Sequence, residues 1–418
     1  MAEMRAMESL SDKLKALGVK LGLDQTEPSG ATIKTTQADI TELLPEGKLI
    51  PTIHGETFWV EEVYSGTGNH GGFQVKQSTD FSSMLEMVGA DAAFDLENCV
   101  FMDTETTGLA GGTGTLAFMV GLGFFRGEDF YLYQGFLRDP TEELAMLTYI
   151  AGLLEGKNTV VTYNGKSFDV PLMHTRCTLN GFEKLFAPMY HIDLLHLARK
   201  LWKYRLPSRT LGMVENEILG FHRSAEEVPG WMVPELYFEY QKTGDATVVL
   251  PVFYHNAMDI LSLGVLLQVT ASLLDNPASL DSPGVDTVSV ARMAAEQGNI
   301  EKAVLLYEQG LQDDMPTEVY VETLLRFATI YKRDKLWHSA CILWEKAAEK
   351  RSLCACEELA KYYEHTMKEY QVAIQWVNRG FKFSEEMKLG GYERTRMEKA
   401  WQHRLERLLD KWARQNKS

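Results

Sequence analysis

Two acidic residues directly follow a short apolar stretch of the sequence. Residues 99–102 are apolar and predict a buried strand, which continues into Asp103-Thr104-Glu105. Because side chains alternate along a strand, Asp103 and Glu105 point to the same face. Two carboxylates at that spacing repel each other unless a cation lies between them, and Mg²⁺ or Mn²⁺ prefers oxygen ligands. The pair therefore indicates either a divalent-metal site or a strand end with two solvated acids.

Three more polar residues stand on predicted helices. A helix beginning near residue 167 carries Asp169, and a long helix over 250–273 carries His255 and Asp259. A spacing of four places His255 and Asp259 on one face of their helix. Burying an unpaired carboxylate there is costly, and a metal partner would explain the polar patch. Four carboxylates and one imidazole can hold two divalent ions and activate a water, which is the chemistry of phosphodiester hydrolysis.

The elements that must position these residues follow an α/β pattern. Two further strands, 117–125 and 130–137, extend the acidic strand into an antiparallel meander. Alternating elements then follow: a helix over 140–154, a strand over 159–163, the helix of Asp169, and a helix beginning at His191-Ile192-Asp193. This order is typical of a ribonuclease-H-like mixed sheet with flanking helices. A site in such a sheet gathers at one strand edge.

A basic stretch follows the last of these predicted helix starts. Arg199 and Lys203 lie on that helix and Arg209 comes soon after it. Lysine and arginine neutralise backbone phosphates, so the stretch is either the wall of a nucleic-acid groove or a solvated helix face. The full set of candidate substrate contacts is Thr104, Thr106, Asn164, Arg199, Lys203 and Arg209.

Composition and charge limit the class of protein. The chain has 418 residues, enough for two or three domains, and its net charge of −16 argues against broad non-specific duplex binding. Residues 1–95 and 96–275 each carry −8, while residues 276–418 are neutral. The five cysteines form no zinc-like pairs. No apolar run approaches the ~20 residues that span a bilayer, and the N-terminus has no signal peptide. We therefore expect a cytoplasmic protein without a membrane segment.

Beyond Pro283 the sequence pattern becomes entirely helical. Ala303, Ala340 and Ala373 recur at spacings of 37 and 33 residues, close to the tetratricopeptide period of 34. The pattern indicates tetratricopeptide-like repeats, with an irregular helical bundle as the alternative. The predicted domains are a partly flexible leader over 1–95, a ribonuclease-H-like domain over 96–275, and a helical repeat domain over 283–418.

Three stretches of the middle domain carry a family resemblance. They are Phe-Met-Asp-Thr-Glu-Thr-Thr-Gly-Leu-Ala-Gly-Gly-Thr-Gly (101–114), Tyr-Asn-Gly-Lys-Ser-Phe-Asp (163–169) and His-Asn-Ala-Met-Asp-Ile-Leu-Ser-Leu (255–263). The segment resembles the DEDD superfamily of 3′→5′ exonucleases and, within it, the YprB-like bacterial family. The resemblance implies that Asp103, Glu105, Asp169 and Asp259 bind metal and that a helical-repeat region follows.

The sequence departs from the superfamily at one point. One branch places a tyrosine four residues before the last aspartate, and the other places a histidine five residues before it. Here His255 stands at minus four and Tyr254 at minus five. On a regular helix, minus five lies about 140° from Asp259, whereas minus four shares its face. We therefore predict that His255 activates the water and that Tyr254 packs.

These observations predict a function and leave alternatives open. The leading hypothesis is a nuclease that uses two divalent cations, Mg²⁺ or Mn²⁺, and removes nucleotides from single-stranded 3′ ends of DNA or RNA. A free single-stranded end enters a carboxylate-lined pocket more easily than a duplex. One alternative is a catalytically weak nucleic-acid-binding scaffold that recruits protein partners through its helical repeats. Another is an oligonucleotidase acting on very short products.

Overall fold

The computed structural model describes residues 38–89, 94–108, 113–187, 189–224, 227–280, 282–386 and 391–416. Residues 1–37 of the predicted leader and residues 109–112 of the first motif lie outside the described residues. The chain divides into two compact units, residues 1–276 and 277–418.

The first unit contains a mixed seven-stranded sheet. Its strands are β1 (Lys48–Thr52), β2 (Gly55–Tyr64), β5 (Cys99–Thr106), β6 (Ala117–Arg126), β7 (Asp129–Phe136), β8 (Thr159–Thr162) and β9 (Tyr190–Asp193), and a separate pair comprises β3 (Asn69–His70) and β4 (Phe73–Gln74). The spatial order is β1-β2-β7-β6-β5-β8-β9. The pairs β5–β8 and β8–β9 are parallel, and the other neighbours are antiparallel. This mixed sheet with flanking helices confirms the predicted fold class.

Eight α-helices accompany the strands in the described part of this unit. They are α1 (Ile40–Leu43), α2 (Ser82–Val88), α3 (Glu143–Leu153), α4 (Asp169–Leu179), α5 (Leu194–Leu201), α6 (Leu211–Val214), α7 (Val233–Thr243) and α8 (Leu250–Asp275). A π-helical turn, Glu215–Leu219, continues α6. The predicted long helix is therefore present as α8.

Helix α8 lies directly against the central strand β6. A Cβ added at Gly121 would lie 2.2 Å from Asn256 Oδ1, and one at Gly123 would lie 2.6 Å from Ile260 Cγ2. Both positions need glycine because the helix approaches the strand so closely. The segment Ala246–Asp275 is long and apolar enough to cross a membrane, contrary to the sequence expectation, but 89% of its most apolar window is buried inside the protein. Its apolar surface is that of a core helix.

The structure differs from the sequence interpretation at both edges of the sheet. Residues within the predicted leader form β1 and β2, and β2 pairs with β7. The prediction that a helix begins at His191-Ile192-Asp193 is wrong, because these residues form β9. Parallel pairing of Val160 with His191 and Val161 with Ile192 fixes that strand. Helix α5 begins only at Leu194, and the Asp193 side chain accepts a hydrogen bond from the Leu195 N–H at 3.1 Å.

The second unit is all-helical over its described residues. Its helices are α9 (Gly284–Glu296), α10 (Ile300–Gly310), α11 (Thr317–Arg333), α12 (Trp337–Glu349), α13 (Leu353–Tyr362), α14 (Tyr370–Glu386) and α15 (Gly391–Gln415). Ala303, Ala340 and Ala373 are fully buried, on α10, α12 and α14 respectively.

Lys203 lies after the end of α5 in the first unit, so the helix predicted to carry it is shorter than expected.

Candidate active site

Strand β5, next to the central strand β6, presents the first two acids. Asp103 and Glu105 are two residues apart on it, and its register with β6 shifts between Glu105 and Thr106. Such a bulge redirects neighbouring side chains and is common beside active sites. Asn256 on α8 donates a hydrogen bond from Nδ2 to Asp103 Oδ2 at 3.1 Å. Asn256 Oδ1 in turn accepts from Gln134 Nε2 at 3.0 Å, so a buried amide pair fixes Asp103.

Asp169, in the first turn of α4, lies beside strand β5. The Thr104 hydroxyl donates a hydrogen bond to Asp169 Oδ1 at 2.5 Å, which joins α4 to β5. The preceding turn contains Asn164 at φ +68°, a left-handed conformation that asparagine tolerates. Asp193 holds this turn by accepting from the N–H groups of Asn164 at 2.8 Å and Lys166 at 3.1 Å. Asp193 thus positions the segment that leads to Asp169.

Helix α8 supplies the imidazole and the fourth acid. His255 Nε2 lies 3.7 Å from Asp259 Oδ2 and 3.9 Å from Glu105 Oε1. Tyr254 is 9% exposed and belongs to the hydrophobic core. The two neighbours therefore differ as helical spacing predicts, with His255 beside the acids and Tyr254 packed away from solvent.

The acids perturb one another electrostatically. Burial and the charges of Asp259, Glu105 and Asp169 raise the pKa of Asp103 well above its usual range. Burial likewise raises the pKa of Glu105 to about 7 and that of Asp169 to about 6. Burial disfavours the charged imidazole of His255, but Asp259, Glu227 and Glu105 raise its pKa to about 9. Closely spaced carboxyl groups that resist ionisation are typical of functional sites.

The sequence did not reveal an ion-pair cluster around Arg223 that lies beside these acids. The guanidinium of Arg223 bonds Glu215 at 2.6 and 2.7 Å, and it also contacts Glu227 and Asp259. Glu227 accepts a hydrogen bond from His255 Nδ1 at 3.0 Å. The described residues 221–224 and 227–229 are not helical, so the helical rule for pairs four residues apart does not apply to Arg223 and Glu227. The contacts of Arg223 with His255 and Asp259 on α8 leave no local pattern, because both residues lie more than thirty positions from Arg223 in the sequence.

The remaining candidate substrate contacts lie in different surroundings. Thr106 donates to the Gly108 carbonyl at 3.0 Å, and Arg209 donates to the Leu206 carbonyl at 3.1 Å. Arg199 is exposed, and exposed Lys203 lies over the Tyr204 ring at 4.8 Å. Across the described residues, no hydrogen bond or ion pair joins these four side chains to the acids. Their contact with a substrate stays a prediction.

The donor chemistry of the site suits a hard divalent cation. Asp103, Glu105, Asp169 and Asp259 offer carboxylate oxygens from three elements. Burial, together with repulsion from neighbouring acids, raises the pKa of Asp103 and Glu105, and a cation would lower it. Within the described ranges, no group of three or more His, Cys, Asp or Glu side chains stands in metal-binding geometry. The four acids match a divalent ion in their charge and in their ligand type, not in their present geometry.

Comparisons with known proteins place the chain in a class. Residues 100–271 match the family model described as RNase H superfamily. The uncharacterized protein YprB of Bacillus subtilis (strain 168) is 34% identical over 288 residues, which cover 68% of this chain and 68% of YprB. The family B DNA polymerase of the hyperthermophilic archaeon Pyrobaculum calidifontis matches with 15% identity and a TM-score of 0.31, over 58% of this chain and 34% of the polymerase.

The family model and the YprB match define the class of this protein. The first unit carries an RNase H superfamily domain. Members of this superfamily are typically nucleases and generally use divalent metal ions. The chain belongs to the YprB family.

Proposed function

We propose that this protein is a metal-dependent 3′→5′ exonuclease acting on single-stranded DNA or RNA ends. The observation that carries the proposal is the position of the His255 imidazole, whose Nε2 lies 3.7 Å from Asp259 and 3.9 Å from Glu105. Asp103 interacts electrostatically with both of these acids and with Asp169. The family match supplies a nuclease fold around this cluster. A single strand suits the acidic first unit better than a duplex, whose many phosphates need basic partners.

The proposed chemistry assigns a task to each side chain. Asp103, Glu105, Asp169 and Asp259 would hold two divalent cations, Mg²⁺ or Mn²⁺. When bound, such ions lower the pKa of an attacking water and stabilise the charge of the leaving 3′ oxygen. Thr104 and Asn256 hold Asp169 and Asp103 in place through the hydrogen bonds described above.

His255 is the proposed general base and accepts the proton of the attacking water at Nε2. The charges that raise the pKa of His255 to about 9 come in part from Asp259 and Glu105, which are themselves proposed cation ligands. Once those carboxylates are neutralised, their attraction for the imidazolium proton weakens. The imidazole then becomes available as a base near neutral pH.

The second unit has a separate proposed task. Three fully buried alanines at near-regular spacing on α10, α12 and α14 support tetratricopeptide-like helix pairs. We propose that these repeats recruit a protein partner and that the protein works in the cytoplasm.

Hydrolysis of a labelled strand tests the nuclease proposal. The full chain is incubated with Mg²⁺ or Mn²⁺ and 5′-labelled single-stranded DNA or RNA of one sequence. We expect a ladder that shortens one nucleotide at a time, and no ladder with Asp103→Asn. Glu239→Gln, which changes an exposed side chain on α7, is the matched control and should retain activity. Equal activity in Asp103→Asn and the unaltered protein would contradict the proposed site.

Retained folding is needed to interpret the Asp103→Asn variant. Asparagine has nearly the shape of aspartate and removes one charge from a repelling cluster. In EDTA, the melting temperature of Asp103→Asn should therefore equal or exceed that of the unaltered protein. A clear loss of thermal stability would instead indicate that Asp103 has a structural role.

A further inference from the structure

The loop before α7 holds the imidazole of His255 from the side opposite the acids. His255 Nδ1 lies 3.0 Å from Glu227 Oε1 and 3.3 Å from an Arg223 guanidinium nitrogen, whereas Nε2 faces Asp259 and Glu105. Because a guanidinium can only donate, Glu227 is the one of these two Nδ1 neighbours that can accept an Nδ1–H. A Cβ added at Gly230 would lie 4.0 Å from Nε2, so the loop also packs beside the other edge of the ring. The two ring nitrogens therefore have different partners, and only Nε2 is turned toward Asp259 and Glu105.

Glu227 is itself anchored in a dense polar cluster. Its side chain is only 23% exposed and contacts the Arg223 guanidinium, which is 10% exposed. Arg223 is fixed by Glu215, and Glu215 Oε1 accepts a hydrogen bond from Ser262 of α8 at 2.6 Å. Ser262 Oγ also lies 2.7 Å from His70 Nε2. These bonds tie the loop to the helix that carries His255 and restrict where the Glu227 carboxylate can go.

We propose that Glu227 is a positioning residue that accepts the Nδ1–H of His255 and thereby turns Nε2 toward Asp259 and Glu105. A hydrogen bond at one ring nitrogen sets which nitrogen is left for chemistry, and it also fixes the ring plane. The value of this positioning for catalysis rests on the proposed exonuclease function. The contact between Glu227 and His255 can be tested without that activity.

Proton NMR of the full chain, labelled with ¹⁵N-histidine and treated with EDTA, tests the contact. A ring N–H held by a carboxylate exchanges slowly and resonates far downfield, and its absence in His255→Ala assigns it. We expect Glu227→Ala to abolish this resonance. Glu227→Gln, which keeps an oxygen acceptor, should retain the resonance at reduced downfield shift. Glu239→Ala, on an exposed residue of α7, should leave it unchanged. An unchanged resonance in Glu227→Ala would overturn the proposal.

Steady-state hydrolysis of single-stranded DNA tests the consequence. Glu227→Ala should lower kcat by roughly 10- to 100-fold, the usual cost of losing a residue that orients an active-site group, with KM little changed. Glu227→Gln should recover most of this loss. Equal loss in both variants, with the resonance retained in Glu227→Gln, would overturn positioning in favour of a need for negative charge. An inactive unaltered protein that shows the predicted resonances would contradict only the exonuclease proposal.

The competing explanation is that Glu227 serves only as an ion-pair partner of Arg223. In that case Glu227→Ala would lower thermal stability, while the His255 resonance and kcat would remain those of the unaltered protein. This outcome would also overturn the proposal. If Glu227→Ala fails to fold, the resonance of Glu227→Gln decides the question, since its absence in a folded protein contradicts an acceptor role.

Discussion

His255 and Tyr254 are neighbours in the chain with opposite surroundings. The imidazole lies beside the carboxylates of Glu105, Asp259 and Glu227, whereas the phenol ring is packed in the hydrophobic core. A regular helix explains the difference, because α8 continues without interruption from Leu250 to Asp275. The residue four positions before Asp259 therefore faces the site, and the residue five positions before it does not.

Substitution at this pair separates the two roles. His255→Ala should lower turnover by ~10² to 10⁴, the usual contribution of a general acid–base group. Tyr254→Phe removes only a hydroxyl from a packed ring and should change turnover little. Rates on one single-stranded substrate at saturating Mg²⁺ provide the measurement. A dead Tyr254→Phe beside an active His255→Ala would show that the phenol, and not the imidazole, serves the reaction.

Among single residues, the sequence displays the four proposed ligands in motifs but does not display the residues that support them. Asp103, Glu105, Asp169 and Asp259 stand in short motifs at strand or helix positions that the sequence displays. Asn256 and Gln134 look like ordinary polar residues in sequence. Their hydrogen bond spans 122 positions and depends on the close approach of α8 to β6. Such long-range contacts leave no local pattern.

At the scale of elements, the central meander and α8 were predicted, whereas β9 was taken for a helix start. Residues 190–193 become a strand because β8 provides a parallel partner, which a local reading of His191-Ile192-Asp193 does not include. The helix start was predicted only a few residues too early. Asp193 caps α5, so a genuine helix-start signal stands at the end of the strand.

A buried ion cluster in the second unit joins the turn of Glu364 to helix α15. Glu364, in the π-helical turn Tyr363–Met367, has a fully buried side chain that bonds Arg407 at 2.7 and 2.9 Å and Lys411 at 2.8 Å, both on α15. Burial disfavours its charge, but these cations lower the pKa of Glu364 to about 2. Ionised Glu364 therefore stabilises the folded state fully above pH about 4.5, and this contribution is lost as the pH falls toward 2.

Glu364→Gln measures that contribution. At pH 7 we expect the free energy of unfolding to fall by about 1–3 kcal/mol, because charged hydrogen bonds are lost and the cations keep fewer partners. The difference from the unaltered protein should shrink as the pH is lowered through 4. Glu369→Gln, on a nearby exposed residue, is the control for denaturation experiments. A difference that grows in acid would mean that Glu364 is not ionised in the folded protein.

At the scale of the whole molecule, every proposed catalytic side chain lies in the first unit. The chain divides after Asn276, and Asp259 is the last of the proposed ligands. We expect residues 1–276 to retain hydrolysis of short oligonucleotides, since the sheet and α8 are complete within them. The measurement compares kcat of this fragment with that of the full chain. A folded but inactive fragment would show that the second unit contributes to the site.

We propose that the acid cluster removes nucleotides one at a time from a 3′ end. The most direct test offers the full chain linear and circular single strands of one sequence with Mg²⁺ or Mn²⁺ and identifies the products by mass spectrometry. We predict nucleoside 5′-monophosphates from the linear strand and no products from the circle, because a circle has no 3′ end. Oligonucleotides released from the circle, or linear strands shortened from the 5′ end, would contradict the account.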